Sequence, residues 1–339
     1  MSGPGIHPTV CRAPVPLIGR ALALVCAALL ISCAPPGREQ VSWWGRAPAA
    51  PPSGFEFVRS FGGTGNGPGQ LRYPRGISLD PSGYIYVADT GNHRIQKFDS
   101  EGRFLEEIGG FGYEPGRFSS PTGLTAREGL NIYVADSQNR RVQRLDRDLN
   151  YLSSIPVSEE GDPAFGFLWD VEVASTGELF VSDAEQEQIW KLTPFGQTDR
   201  AFGGFGSARE RLRSPAALTL DSDNRVYVSD PGNDRVVCYD TFGAYIGSHG
   251  EANLHGPQGV DLDRAGYLYV ADTGGDRLCV FSPLGELLLS LGGPGDGPAS
   301  MRSPMDVAVS GLDRIYLLDS GNDRVQVFTI LRQGEPSQR

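Results

Sequence analysis

Tyr86-Val87-Ala88-Asp89-Thr90-Gly91-Asn92-His93-Arg94-Ile95-Gln96-Lys97-Phe98 is the stretch on which the fold turns. An apolar run ends on Asp89, a Gly-Asn turn follows, and Arg94 opens a second run, which is the pattern of two short strands joined by a tight turn. The chain repeats this unit. Asp89, Asp136, Asp183, Asp230, Asp272 and Asp319 each close a comparable run, at intervals of 47, 47, 47, 42 and 47 residues. Arg94, Arg141, Arg235, Arg277 and Arg324 stand five residues beyond five of these acids, and the third copy has Gln188 instead. A fixed period of this size marks a propeller or another repeat array.

Working outward, each copy supplies four short strands. In the first, Pro74-Arg75-Gly76-Ile77-Ser78-Leu79 leads into a Pro81-Ser82-Gly83 turn. Then come Tyr84–Asp89, Arg94–Phe98, a Ser100-Glu101-Gly102 turn and Phe104–Ile108. Ile85-Tyr86-Val87-Ala88 is apolar without alternation, as expected of a strand covered on both faces. The sixth copy lacks a fourth strand, yet Phe57-Val58-Arg59-Ser60-Phe61-Gly62-Gly63 matches Phe104–Gly110 of the first. A ring that borrows its first strand to complete its last blade explains the offset and removes exposed sheet edges. The expected fold is therefore all-β: a six-bladed β-propeller over residues 54–331, followed by a polar tail, 332–339.

Composition agrees. There are 45 glycines among 339 residues, about twice the usual ~7%. Formal net charge is −11, and removal of residues 1–32, which hold Arg12 and Arg20 and no acid, leaves −13. Such a balance argues against a nucleic-acid partner, which calls for a basic face.

Arg12 and Arg20 precede the apolar run Ala21–Ile31, too short for the ~20 residues of a membrane span and fitting a secretory signal. Leu30-Ile31-Ser32-Cys33 resembles the bacterial lipobox, which implies cleavage before Cys33, acylation of its thiol and a membrane anchor of two or three acyl chains. Ala34 in place of an Asp fits retention in the outer membrane of a host with two membranes. Residues 33–53 read as a Pro/Ala-rich tether interrupted by Trp43-Trp44. Of the cysteines beyond Cys33, Cys238 and Cys279 sit at offset positions of matching strands and are expected as free, buried thiols.

The repeats resemble the NHL family, whose hallmark, strand–Asp–x–Gly–Asn–His–Arg–apolar, stands in full as Asp89-Thr90-Gly91-Asn92-His93-Arg94-Ile95. The resemblance covers all six copies and implies a six-bladed propeller. It does not by itself assign a function, because propellers serve as enzymes and as binding modules. Zinc lyases among six-bladed relatives need several histidines, whereas residues 33–339 contain His93, His249 and His255 alone. Calcium hydrolases resembling gluconolactonase place acidic and Asn ligands in the channel, which Glu172 and Asp261 echo without evident Asn partners.

A feature present in every blade holds blades together, so the pairs Asp89/Arg94, Asp136/Arg141, Asp230/Arg235, Asp272/Arg277 and Asp319/Arg324 are expected to be structural. Functional residues are sought where copies differ around one mouth of the ring. The loop leading into the innermost strand contributes Arg75 and Trp169, and the next position Asp170 and Asp306. The turn position contributes His93, Glu187, Asp234, Asp276 and Asp323, and Glu172 and Asp261 fall lower in the channel. Two readings stay open: an acidic funnel for a cationic ligand, a Ca²⁺ ion or a basic peptide, or a water-filled channel of solvated acids. The functional expectation is a lipid-anchored, non-catalytic scaffold for a protein or peptide of the cell envelope, with no required cofactor. The rival is a Ca²⁺-dependent hydrolase.

Overall fold

The computed structural model describes residues 49–155, 165–311 and 313–334. Cys33, Trp43 and Trp44 lie outside the described residues. The strands form six four-stranded antiparallel sheets, the blades of one ring. β1 (Pro52–Gly62) precedes blade 1, which holds β2 (Gly76–Leu79), β3 (Ile85–Asp89), β4 (Arg94–Phe98) and β5 (Phe104–Gly109). Blade 2 holds β6 (Pro121–Thr125), β7 (Asn131–Asp136), β8 (Arg141–Asp146) and β9 (Tyr151–Ile155). Blade 3 holds β10 (Leu168–Val173), β11 (Leu179–Asp183), β12 (Gln188–Leu192) and β13 (Thr198–Phe202). Blade 4 holds β14 (Leu218–Leu220), β15 (Val226–Asp230), β16 (Arg235–Tyr239) and β17 (Tyr245–His249). Blade 5 holds β18 (Pro257–Leu262), β19 (Leu268–Asp272), β20 (Arg277–Phe281) and β21 (Leu287–Gly292). Blade 6 holds β22 (Asp306–Val309), β23 (Arg314–Asp319) and β24 (Arg324–Arg332), and its fourth strand is β1, paired with β24 from Pro52↔Arg332 to Gly62↔Arg324. The closure read from the sequence is present, with strands reaching slightly beyond 54–331 at both ends.

The first strands touch in a closed circle, β2 to β6, β10, β14, β18, β22 and back to β2, and so line the axis. The hydrophobic core lies between blades. Tyr86, Ala88 and Ile95 of blade 1 pack on Phe118, Leu124, Ile132 and Val134 of blade 2, while Ile77, Val87 and Phe98 pack on Tyr316, Leu318 and Val325 of blade 6. This is why β3 is buried at all five positions and its sequence does not alternate. Each fully buried Val, Leu, Ile or Phe among them contributes roughly 1.5–3 kcal/mol.

The Gly-Asn turn differs from a two-residue hairpin. Thr90–Asn92 forms a 3-10 turn, and the left-handed residue is His93, at φ 56°. The equivalent residues, Arg140, Glu187, Asp234, Asp276 and Asp323, share that conformation with φ between 50° and 55°. Gly91 is required for a different reason: a Cβ there would lie 2.6 Å from the carbonyl oxygen of Arg72. The crossover loop from the previous blade presses directly on this turn.

The Asp/Arg pairs hold that loop. In blade 2, Asp136 accepts from Arg141 Nε at 2.8 Å, Asn139 Nδ2 at 2.8 Å, Gln143 Nε2 at 3.0 Å and the Ser119 backbone N–H at 2.7 Å. Arg141 in turn donates to the Arg117 carbonyl at 2.9 Å. The pair thus ties the second and third strands to the chain arriving from blade 1. In blade 3, which lacks the Arg, Trp190 Nε1 donates to Asp183 at 3.1 Å in the place of Gln143.

Cys238 and Cys279 are free and buried, as expected, and burial pushes both thiols up to about 11.

Candidate functional site

The 3-10 turns and crossover loops share one face, the upper one, while the turns between first and second and between third and fourth strands share the lower face. Along the axis the inner strands of neighbouring blades meet without forming a shared sheet, so some inward N–H groups need partners from side chains. The acids supply them. Asp170 accepts from the N–H of Val171 at 2.8 Å and of Leu218, in blade 4, at 3.0 Å. Asp306 accepts from Val307 and from Ile77 of blade 1, both at 2.8 Å. Asp261 accepts from Leu262 at 2.6 Å and from Val309 of blade 6 at 2.7 Å. Each aspartate therefore clasps its own blade to the next. The space is tight: a Cβ at Gly123 would lie 1.9 Å from Asp170 Oδ1.

Lower down, Glu172 accepts from Thr125 Oγ1 at 2.6 Å and from the Val173 N–H at 3.0 Å. Between Glu172 and Asp261 stands Arg127, from the β6–β7 turn. Its Nε lies 3.2 Å from Glu172 Oε2, and its Nη2 donates to Asp261 Oδ1. Burial disfavours the Arg127 charge, but Asp261 and then Glu172 outweigh it and hold the guanidinium above its ordinary pKa. Departures from the repeat do not mark Arg127. Blade 5 has Arg264 at the same turn position, so the residue type carried no signal, and the reach of Arg127 across the channel was not readable.

Burial raises the Asp170 carboxyl well above its usual range, and the charge of Asp306 adds to it. Burial likewise raises Glu172, with Arg127 opposing. Asp306 is enclosed by protein yet still reached by water from the channel; burial, with Asp261 reinforcing it against two N–H bonds, pushes its pKa up to about 8. The folded state thus keeps a proton on Asp306 that the unfolded chain releases near ~3.9. The stability from this group is complete below about pH 4 and is lost as pH rises through about 8. Thermal denaturation between those limits is expected to show a midpoint falling with pH, and Asp306→Asn is expected to flatten that fall. Parallel slopes in the two proteins would refute the assignment.

The turn residues expected at the mouth are engaged between blades. His93 Nδ1 accepts from the Ser120 N–H at 2.9 Å. Asp234, Asp276 and Asp323 accept from the N–H groups of Gly256, Ser303 and Tyr73, each at 2.7 Å. These four donors have φ between 45° and 56° and each precedes a proline, so the acceptors steady a backbone that non-glycine residues rarely adopt. Glu187 shares the turn conformation and is partly exposed.

Arg75 and Trp169 are brought together. The guanidinium of Arg75, from blade 1, lies 5.0 Å from the Trp169 ring centroid in blade 3, and Phe167 packs on Trp169 at 5.8 Å. Among the described residues Arg75 has no carboxylate partner, and burial lowers its pKa. An open cleft of about 490 Å³ lined by Asn66, His93, Arg94 and Glu107 belongs to the blade-pinning network instead, since Arg94 is already paired with Asp89 and Glu107.

Among the described residues no group of three or more His, Cys, Asp or Glu is arranged to hold a metal ion. The carboxylates in the channel are bonded to backbone N–H groups, and Arg127 occupies the position between Glu172 and Asp261 that a cation would take. These residues do not fit a Ca²⁺ ion.

Comparison with known proteins follows the same division between fold and function. Residues 71–98 match the NHL repeat. The rat E3 ubiquitin-protein ligase TRIM71 is 53% identical over 47 residues, 14% of this chain and 6% of that protein, so the chain spans a small fraction of that relative. Among solved structures, a streptogramin B lyase superposes with a TM-score of 0.59 at 13% identity, covering 82% of this chain and 98% of the other. A putative gluconolactonase superposes with a TM-score of 0.61 at 18% identity, covering 85% and 96%. At such identities the likeness concerns the fold alone. The chain is a six-bladed β-propeller that carries an NHL repeat at residues 71–98.

Proposed function

We propose that this propeller is a non-catalytic binding module, exported and held at a bacterial membrane by lipid on Cys33, that presents its upper mouth to a peptide segment of a cell-envelope protein. In a host with two membranes the anchor lies in the outer one. The observation that carries the binding reading is Arg75: a partly buried guanidinium stacked on Trp169 above acids that are all bonded elsewhere. Arg75 has no carboxylate partner among the described residues, so the segment it suits carries a carboxylate beside an apolar group. The guanidinium fork takes the carboxylate and the aromatic pair takes the apolar group. No cofactor is needed. The hydrolase reading finds neither an open ligand set nor an unbonded carboxylate in the channel.

A displayed library of random peptides panned against the full chain tests this. The expected clones carry an Asp, Glu or terminal carboxylate, and Arg75→Ala weakens them by roughly ten- to a hundredfold, the loss of a charged hydrogen-bonded pair. Trp169→Ala is expected to weaken them as well. Clones that are uniformly basic, or that survive both substitutions, would refute the mouth as the site. Ca²⁺-dependent turnover of a fluorogenic lactone would restore the enzyme reading.

A further inference from the structure

The lower face carries an apolar arc that neither the fold nor the mouth explains. The turns between the third and fourth strands place Phe195, Phe242 and Leu284 at the same position of blades 3, 4 and 5, with 90%, 66% and 89% of their surfaces exposed. Blades 1 and 2 have Glu101 and Asp148 at the corresponding turns. Single exposed apolar residues are ordinary; three at one turn position on successive blades form a surface feature. Beside the middle one, Arg200, paired with Asp199, lies 5.6 Å from the Phe242 ring centroid, and the buried Lys191, paired with Glu178, lies 5.8 Å from it.

The chain enters the ring on this same face. β1 begins at Pro52 opposite Arg332, at the end of blade 6 away from its 3-10 turn. Arg332 donates to the Ala50 carbonyl at 2.9 Å, to Asp263 at 2.8 Å and to Asp313 at 2.7 Å, the last two in lower-face turns of blades 5 and 6. The point of entry therefore continues the arc of blades 3 to 5, and the acidic turns occupy the remainder of the rim.

We propose that this arc docks on the lipid bilayer: Phe195, Phe242 and Leu284 enter the interface, so that the mouth faces away from the membrane. The inference rests on the Cys33 anchor. Fifteen residues, 34–48, separate that cysteine from the described chain, and extended they reach at most ~50 Å, which keeps the lower face near the surface. Exposed apolar side chains at turn tips are what a bilayer interface takes up.

The test uses the full chain, its acylation checked by intact mass, in vesicles of phosphatidylethanolamine and phosphatidylglycerol with plain or brominated acyl chains. Trp is introduced as Phe195→Trp, as Leu284→Trp and, on the upper face, as Tyr73→Trp, and the emission of the parent chain is subtracted. Brominated lipid is expected to quench the added emission at positions 195 and 284 and to leave position 73 unchanged. Acylated chain that floats with vesicles but shows no quenching at either tip, or equal quenching at position 73, would overturn the docking face and leave the anchor standing. A chain without acyl mass on Cys33 overturns the anchor. If that chain still floats and quenches at the tips, the docking face holds alone; if it stays in solution, the proposal falls. Dimerisation in sedimentation that is lost with Phe195→Ser and Leu284→Ser would assign the arc to a second copy instead.

Discussion

Asp136→Ala is expected to destabilise the ring by about 3–5 kcal/mol, whereas Asp183→Ala, at the same position of blade 3, is expected to cost only about 1–3 kcal/mol. Both carboxylates are fully buried and each accepts several hydrogen bonds. The difference lies in what is left behind. Without Asp136, the guanidinium of Arg141 stays buried, 5% exposed, with backbone carbonyls and the Tyr113 ring as its remaining partners. Without Asp183, the orphaned donors are neutral: the Trp190 indole and the N–H groups of Gly166, Glu185 and Gln186. An uncompensated buried charge is more costly than an unsatisfied neutral donor. Chemical denaturation of the two variants gives the comparison, and equal losses would mean that the Asp/Arg pair contributes no more than its hydrogen bonds. Asp136→Ala/Arg141→Met is expected to recover part of the loss, because it removes the stranded cation together with its partner.

Truncation through Gly62 is expected to have a still larger effect: loss of the soluble monomer. β1 is the outer strand of blade 6 and pairs with β24 along nearly its whole length. Phe55 and Phe57 pack on the layer between blades 5 and 6, and Phe61 on that between blades 6 and 1. Removing the strand uncovers those layers and leaves β24 as an unpaired edge ready to pair with another chain. Size-exclusion chromatography is expected to show the truncated protein in the void volume, and a monomer with unchanged thermal midpoint would refute closure by this strand. Supplying residues 49–63 in trans as a peptide is expected to return part of the material to the monomer position.

Most of the architecture was legible in the residues because the repeat writes each blade six times. The period of the Asp positions gave the number of blades, the unbroken apolarity of Ile85–Ala88 showed burial on both faces, and the unpaired Phe57–Gly63 revealed the closure. The structural standing of Asp89/Arg94 and its counterparts followed from recurrence, and the bonds of Asp136 and Arg141 give that standing its geometry. The site was legible only as a set of positions. Departures from the repeat marked Arg75, Trp169, Asp170, Glu172, Asp261 and Asp306 as unusual without showing how each is used.

What tertiary structure decided is how the acids of the funnel are used. Read along the chain, they leave open both a cation site and a water-filled channel of solvated acids. In the ring those acids serve as acceptors for inner-strand N–H groups of adjacent blades, and Arg127, forty-five residues before Glu172 and far from Asp261 in sequence, closes the space between them. At the mouth, Arg75 meets Trp169 across two blades. Likewise, Phe195, Phe242 and Leu284 are unremarked turn residues until the ring sets them side by side on the face where the chain enters. The physical reason is common to both. Local pattern and period determine strands, blades and closure, because hydrogen-bond geometry and burial act within a repeat or between neighbours. The partners of a channel charge come from several blades at once, and only closure of the ring brings them within reach.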